Sequence, residues 1–151
     1  MRKITSVLCL FLLVGLLIGC SAPMPSAFSD STPRPPVPVL SVDGQPVPYQ
    51  LGTYSWASNG RGVAVDSVDP PTLVEPLVPV TVGPNAVLNV TFTDAPEEVG
   101  IAVWTGDGAD FEPVTGGQAV LPSEEGDYVF VLWASWPQGD ATYAFPVRVT
   151  K

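Results

Sequence analysis

The sequence predicts an all-β domain folded as an antiparallel sandwich, and three observations carry that reading. Apolar residues alternate with polar ones at a period of two, most clearly in Ala86–Thr93 and Ala141–Val149, the pattern of strands with one buried face. The chain holds 14 glycines and 18 prolines in 151 residues, a density suited to many tight turns. No segment repeats its apolar residues at a convincing helical spacing. With 46% hydrophobic and 14% charged residues, the composition argues against a disordered chain and suits one domain with a core of its own.

In chain order, the first element is an export signal. Arg2 and Lys3 precede an almost wholly apolar run from Ile4 to Ile18, the layout of a secretory signal peptide. At about 16 residues up to Gly19, the run is shorter than the roughly 20 needed to span a bilayer, and no basic stop-transfer cluster follows. Leu17-Ile18-Gly19-Cys20 resembles the lipobox of bacterial lipoproteins, in which the cysteine receives diacylglycerol and becomes the new N-terminus after cleavage. The expected division is a signal peptide at 1–19, a lipidated Cys20 and Pro/Ser-rich linker at 20–36, and the sandwich at 37–151. Two acyl chains suffice for stable anchoring. Cys9 lies in the segment to be removed, so the sandwich is expected to stand without a disulfide. Ser21–Pro36 has neither period and reads as a flexible tether.

The strands follow. Val37–Val42 and Val47–Tyr49 flank Asp43-Gly44, a pair suited to a tight hairpin turn, and their prolines favour an edge. Leu51–Trp56 and Val63–Asp66 are separated by the turn Ser58-Asn59-Gly60. In Ala86–Thr93, Ala86, Leu88, Val90 and Phe92 form the face to be buried. Ile101–Thr105 and Ala119–Leu121 are shorter candidates. Tyr128, Phe130, Leu132, Ala134 and Trp136 share one side of a strand whose other side carries Val129, Val131, Trp133 and Ser135, so both faces are expected to be covered. Pro137-Gln138-Gly139-Asp140 is the turn into a last strand, where Pro146 suits an outer edge or a bulge. Glu124-Glu125-Gly126-Asp127-Tyr128 resembles the tyrosine corner of Greek-key sandwiches, and a domain of this length is close to the roughly 100 residues of an immunoglobulin-like sandwich.

Charge and composition narrow the function classes. Six basic residues face 15 acidic ones, with no histidine and a formal charge of -9. The missing histidine disfavours catalytic triads, zinc hydrolases and histidine switches, and the deficit of positive charge leaves no nucleic-acid footprint. Serine nucleophiles have no base and no Ser-x-x-Lys pattern. Asp107, Asp110 and Glu112, beside Gly106 and Gly108, offer hard oxygen ligands for calcium, although the spacing is not that of an EF-hand; a solvated turn is the plainer reading. Asp94, Glu97 and Glu98 form a lesser acidic group. Among the tryptophans, Trp56 and Trp136 are expected in the core, and Trp104 is the candidate for an exposed binding surface.

Gly52-Thr53-Tyr54-Ser55-Trp56, Ala64-Val65-Asp66, Pro70-Pro71, Trp104, Leu121-Pro122, Gly126-x-Tyr128, Trp136 and Tyr143-Ala144-Phe145 together resemble a group of uncharacterised lipoproteins of Firmicute-type bacteria. The resemblance runs from about residue 50 to 149 and implies export and a small sandwich domain. It implies no activity and no catalytic residue. Cysteines stand in that group where this chain has Ser55 and Ala64, which implies that a cross-link between neighbouring strands is missing here. The expectation is a lipid-anchored, outward-facing lipoprotein of the cell membrane, acting as a binding or structural module and not as an enzyme. It is expected to be monomeric, to carry no cofactor beyond the diacylglycerol on Cys20, and to meet an extracellular protein or an envelope polymer. The alternatives are a small carboxylate-dependent hydrolase of envelope polymers and a loop-presenting protease inhibitor.

Overall fold

The computed structural model describes residues 32–151. The expected export signal, Cys20 and the expected linker up to residue 31 lie outside the described residues. Eleven strands and one short helix follow in the order β1 (Pro38–Val42), β2 (Gln45–Pro46), β3 (Gln50–Ser58), β4 (Arg61–Val65), α1 (Pro70–Val74), β5 (Val80–Val82), β6 (Val87–Phe92), β7 (Glu98–Val103), β8 (Glu112–Pro113), β9 (Gln118–Val120), β10 (Gly126–Trp136) and β11 (Gly139–Val149).

The strands form two sheets. The smaller has the order β2-β1-β6-β9; the larger runs β4-β3-β11-β10-β7-β8, with β5 added in parallel to the end of β11. Every other pairing is antiparallel. The predicted all-β sandwich is therefore the fold. In strand order, β11 lies between β10 and β3, whereas the last strand of an immunoglobulin domain borders one strand of its sheet.

Period two in the sequence becomes the core. Leu40 and Val42 of β1, Leu88 and Val90 of β6, and the series Ala141, Tyr143, Phe145, Val147 and Val149 of β11 are all buried in one cluster. They meet Phe130, Leu132, Ala134 and Trp136 of β10, and the registers Phe130↔Phe145 and Leu132↔Tyr143 hold these side chains on the same face. Trp56 and Trp136 meet edge to face at 5.4 Å, with Phe92 against Trp136 at 5.2 Å, the arrangement that the ring quadrupoles favour. The Trp136 Nε1–H donates to the Asp94 carbonyl at 3.0 Å, which satisfies the polar end of this ring.

The turns obey the backbone preferences of their residues. Asp43-Gly44 and Asn59-Gly60 adopt positive φ at both positions, which gives the hairpin twist that two-residue loops require. Tyr128 donates its hydroxyl to the Glu124 carbonyl at 3.0 Å, the bond expected of a tyrosine corner. A Cβ at Gly126 would stand 3.3 Å from the Tyr128 ring, so the Gly-x-Tyr spacing lets that ring lie flat over the strand.

Three expectations differ in detail. Val47–Tyr49 is not a strand: the pairing stops at Pro46, and Val47 instead donates its N–H to Leu40 while burying its side chain. Pro46 and Pro48 lack the N–H that a longer ladder needs. Pro146 lies neither at an outer edge nor in a bulge but within central β11, opposite Val129. The carbonyl of Val129 accepts from Trp104 on the far side, so Val129 and Pro146 form a non-hydrogen-bonded pair. The N of Pro146 thus points to the other flank, between the end of β3 pairing at Ala144 and the start of β5 pairing at Val147. No ladder bond is lost there. Finally, β5 and α1 are elements that the sequence pattern does not announce. In α1 the Asp69 carboxylate accepts from the Thr72 N–H at 3.3 Å, an N-cap followed by prolines that fit the first helical turn.

Candidate functional site

The outward face of the larger sheet is built from β7, β10 and β11 residues that alternate with the core set. Ala102, Val131 and Ala144 are buried there, as is Val74 of α1, outside the main cluster. The segment between β4 and β5 packs α1 against β3, β10 and β11. Toward β7 the cover comes from another direction. Phe111, just before β8, stands over Gly100, where a Cβ would come within 3.2 Å of the Phe111 Cβ.

Between these covers lies Trp133, half-buried on β10, opposite Gly100 of β7 and Thr142 of β11. Its ring faces Phe111 at 6.5 Å, and Phe111 itself remains 43% exposed. The two rings, with Val99, Val114 and Pro113, line an open hollow of about 430 Å³ to which Glu97, Glu98 and Glu112 also contribute. An aromatic wall with carboxylate acceptors around it can stack against a flat apolar face and accept hydrogen bonds from hydroxyl or amine groups.

Of the sequence candidates, Glu97, Glu98 and Glu112 line this hollow, and the others lie outside it. Trp104 is half-buried at the end of β7, its backbone N–H donating to the Val129 carbonyl at 2.8 Å, and it does not line the Trp133 hollow. Asp110 and Glu112 border a second open cleft of about 370 Å³, together with Thr105, Val103, Pro122 and Phe130. Asp107 is exposed in the loop and is not part of that lining. Among the described residues, no three His, Cys, Asp or Glu side chains gather into a set that could hold a metal ion. Asp94 uses its carbonyl to hold Trp136, while Glu97 and Glu98 line the Trp133 hollow. Cys20 lies outside the described residues.

Sequence reasoning passed over the pairing of Trp133 with Phe111. The usable signal was the position of Trp133 on the face opposite the Phe130, Leu132, Ala134 set, together with Gly100, a residue that leaves space for a neighbouring ring. Comparison of the chain with family models, with curated proteins and with solved structures finds no match.

Proposed function

We propose that the protein is an exported module anchored by lipid on Cys20, whose sandwich binds an envelope polymer at the Trp133–Phe111 hollow. The observation that carries the binding reading is the half-open tryptophan facing a 43% exposed phenylalanine in a hollow to which Glu97 and Glu98 contribute. Sugar rings present both a flat apolar face and hydroxyl donors, and amine-bearing cross-links add positive charge; both features suit an aromatic wall beside carboxylates. The anchoring reading is supported by the lipobox residues Leu17-Ile18-Gly19-Cys20 after an apolar run. Ser55 and Ala64, where the Firmicute-type lipoproteins that the sequence resembles carry cysteines, are ladder partners between β3 and β4.

Co-sedimentation with purified insoluble cell-wall polymer tests the binding reading. The wild-type chain should pellet with the polymer, and both Trp133→Ala and Phe111→Ala should move mostly to the supernatant while keeping the wild-type urea midpoint. A wild-type chain that stays in solution, or folded variants that pellet equally, would overturn it.

A further inference from the structure

A sandwich must protect the margins of its sheets, because a bare strand edge offers a row of N–H and C=O groups to any other strand. Most margins here are blunted. β2 and β8 are two residues long and contain Pro46 and Pro113; β9 has three residues; β5 has three and is enclosed by Pro79 and Pro84. The exception is β4. It forms the outer edge of the larger sheet, runs for five residues as Arg61-Gly62-Val63-Ala64-Val65 without a proline, and pairs with β3 without a register shift.

The pairing fixes which backbone groups face outward. Ala57 donates its N–H to Gln138, away from β4, so Ala57↔Gly62 and Ser55↔Ala64 are the non-hydrogen-bonded pairs of this hairpin. The N–H and C=O groups of Gly62 and Ala64 therefore point off the sheet, and among the described residues no backbone group meets them. Both side chains are small, both residues are exposed, and a Cβ at Gly62 would have nothing within 4 Å. Among the described residues, neither Gly62 nor Ala64 presents a bulky side chain at this edge.

The sequence of the edge also says what can approach. In an antiparallel ladder the outward-facing residues exchange hydrogen bonds two by two. If a second β4 lies antiparallel with Val63 opposite Val63, then Gly62 of each copy falls opposite Ala64 of the other, and all four outward-facing residues are used. The same register sets Arg61 of one strand opposite Val65 of its mate, and β4 itself carries no acidic residue, so no two carboxylates are brought together within the seam. This matters in a chain with 6 basic and 15 acidic residues, where most other surfaces would repel a copy of themselves. An isologous edge of this kind closes on itself and leaves nothing to propagate.

We propose that the outer edge of β4 is a homotypic docking strand, by which two copies join their seven-stranded sheets into one across a two-fold axis beside Val63. The monomer expected from the sequence is then the dissociated form. The proposal does not depend on the polymer-binding reading, since the Trp133 hollow lies toward the opposite margin of the same sheet.

A cysteine at the axis reads this directly. Non-hydrogen-bonded partners in an antiparallel pair stand with Cα atoms about 4.5 Å apart, within the range of a disulfide. The full chain carrying Val63→Cys should double its apparent mass on a non-reducing gel after mild oxidation and return to single mass on reduction. The wild-type chain, with Cys9 and Cys20 as its own cysteines, sets the baseline. Val39→Cys, on the smaller sheet and more open than the half-buried Val63, should stay at that baseline. Adding Ala64→Pro to Val63→Cys removes an outward N–H that the fold itself does not use, and the doubling should be lost with the melting temperature retained. Should that proline unfold the chain, the contrast between Val63→Cys and Val39→Cys decides alone. A Val63→Cys chain that stays at single mass, or doubles no more than Val39→Cys, overturns the proposal.

Discussion

The hydroxyl of Tyr143 donates to the carbonyl of Pro36, 107 positions earlier, at 2.5 Å. Tyr143 is buried on β11 with its ring set edge to face against Tyr49 at 5.8 Å, so this bond fastens the last linker residue to the centre of the core. Burial, and then the neighbouring Tyr49, push the Tyr143 phenol well above its ordinary value of 10.0; burial also raises Tyr49.

The sign of the pH dependence follows. The folded state holds these protons beyond the pH at which the unfolded chain releases them, so their contribution is complete below about pH 10 and is lost as pH climbs toward the raised values. Urea midpoints of the wild type should be level from neutral pH to about pH 9 and fall above pH 10. Tyr143→Phe should cost about 1 kcal/mol at neutral pH, because the Pro36 carbonyl loses its donor, and should show the shallower alkaline decline. Parallel curves for the two proteins above pH 10 would show that Tyr143 is not the titrating group.

Tyr128→Phe isolates the corner. Its bond to Glu124 is exposed to solvent, so the freed carbonyl can take up water, and the expected loss is about 0.5 to 1 kcal/mol. Chemical denaturation of both proteins measures this, and a midpoint unchanged within error would remove the corner bond from the account of stability.

What the sequence made legible was local. Alternation in Ala86–Thr93 and Ala141–Val149 marks residues that are buried in the fold, and Asp43-Gly44 and Asn59-Gly60 mark turns that adopt positive φ. The order of strands was not legible, because Tyr54↔Ala141 joins segments whose separation no pattern spans. The position of Pro146 depends on that order, since its missing N–H costs nothing only where β3 hands over to β5. The same holds for the hollow. Trp133 and Phe111 come together through the β7–β8 and β7–β10 pairings, so neither ring announces the other in sequence, and Trp104, which alternates visibly with its neighbours, drew the expectation instead.

Gly139→Ala should be among the most damaging single changes. Gly139 has a φ of 148° and pairs with Trp56 across β3, where a Cβ would overlap the Ser55 carbonyl. Strand β3 has to move or the β10–β11 turn has to reopen, at about 3 kcal/mol or more. A calorimetric melting point within about 2 °C of wild type, for a domain of this size a change well under 1 kcal/mol, would mean that the close approach is relieved cheaply.

Calcium should not stabilise the domain. Asp107, Asp110 and Glu112 are exposed, and only Asp110 and Glu112 share a cleft. The melting temperature should be the same in EDTA and in millimolar calcium; a rise that grows with calcium concentration would restore the acidic loop as a binding site by linkage.

The anchor is tested by separating Cys20 from the sandwich. Among the described residues no helix is long and apolar enough to cross a membrane, and α1 is a single short turn. The four basic residues after Cys20, Arg34, Arg61, Arg148 and Lys151, stand against 15 acidic ones, so an anionic lipid surface repels the domain rather than attracting it. The proposed reading assigns membrane affinity to a lipid on Cys20, so Cys20→Ser should abolish acyl labelling. Because that variant keeps its uncleaved apolar signal, detergent partitioning is better read on a shortened chain. The Tyr143–Pro36 bond says where to cut: a chain beginning at Thr32 keeps the bond, whereas one beginning at Val37 would lose it and blur an anchoring defect with a stability defect. The Thr32 chain should stay in the aqueous phase with the urea midpoint of the lipidated protein. Membrane binding by that chain, or undiminished acyl labelling of Cys20→Ser, would refute anchoring through Cys20.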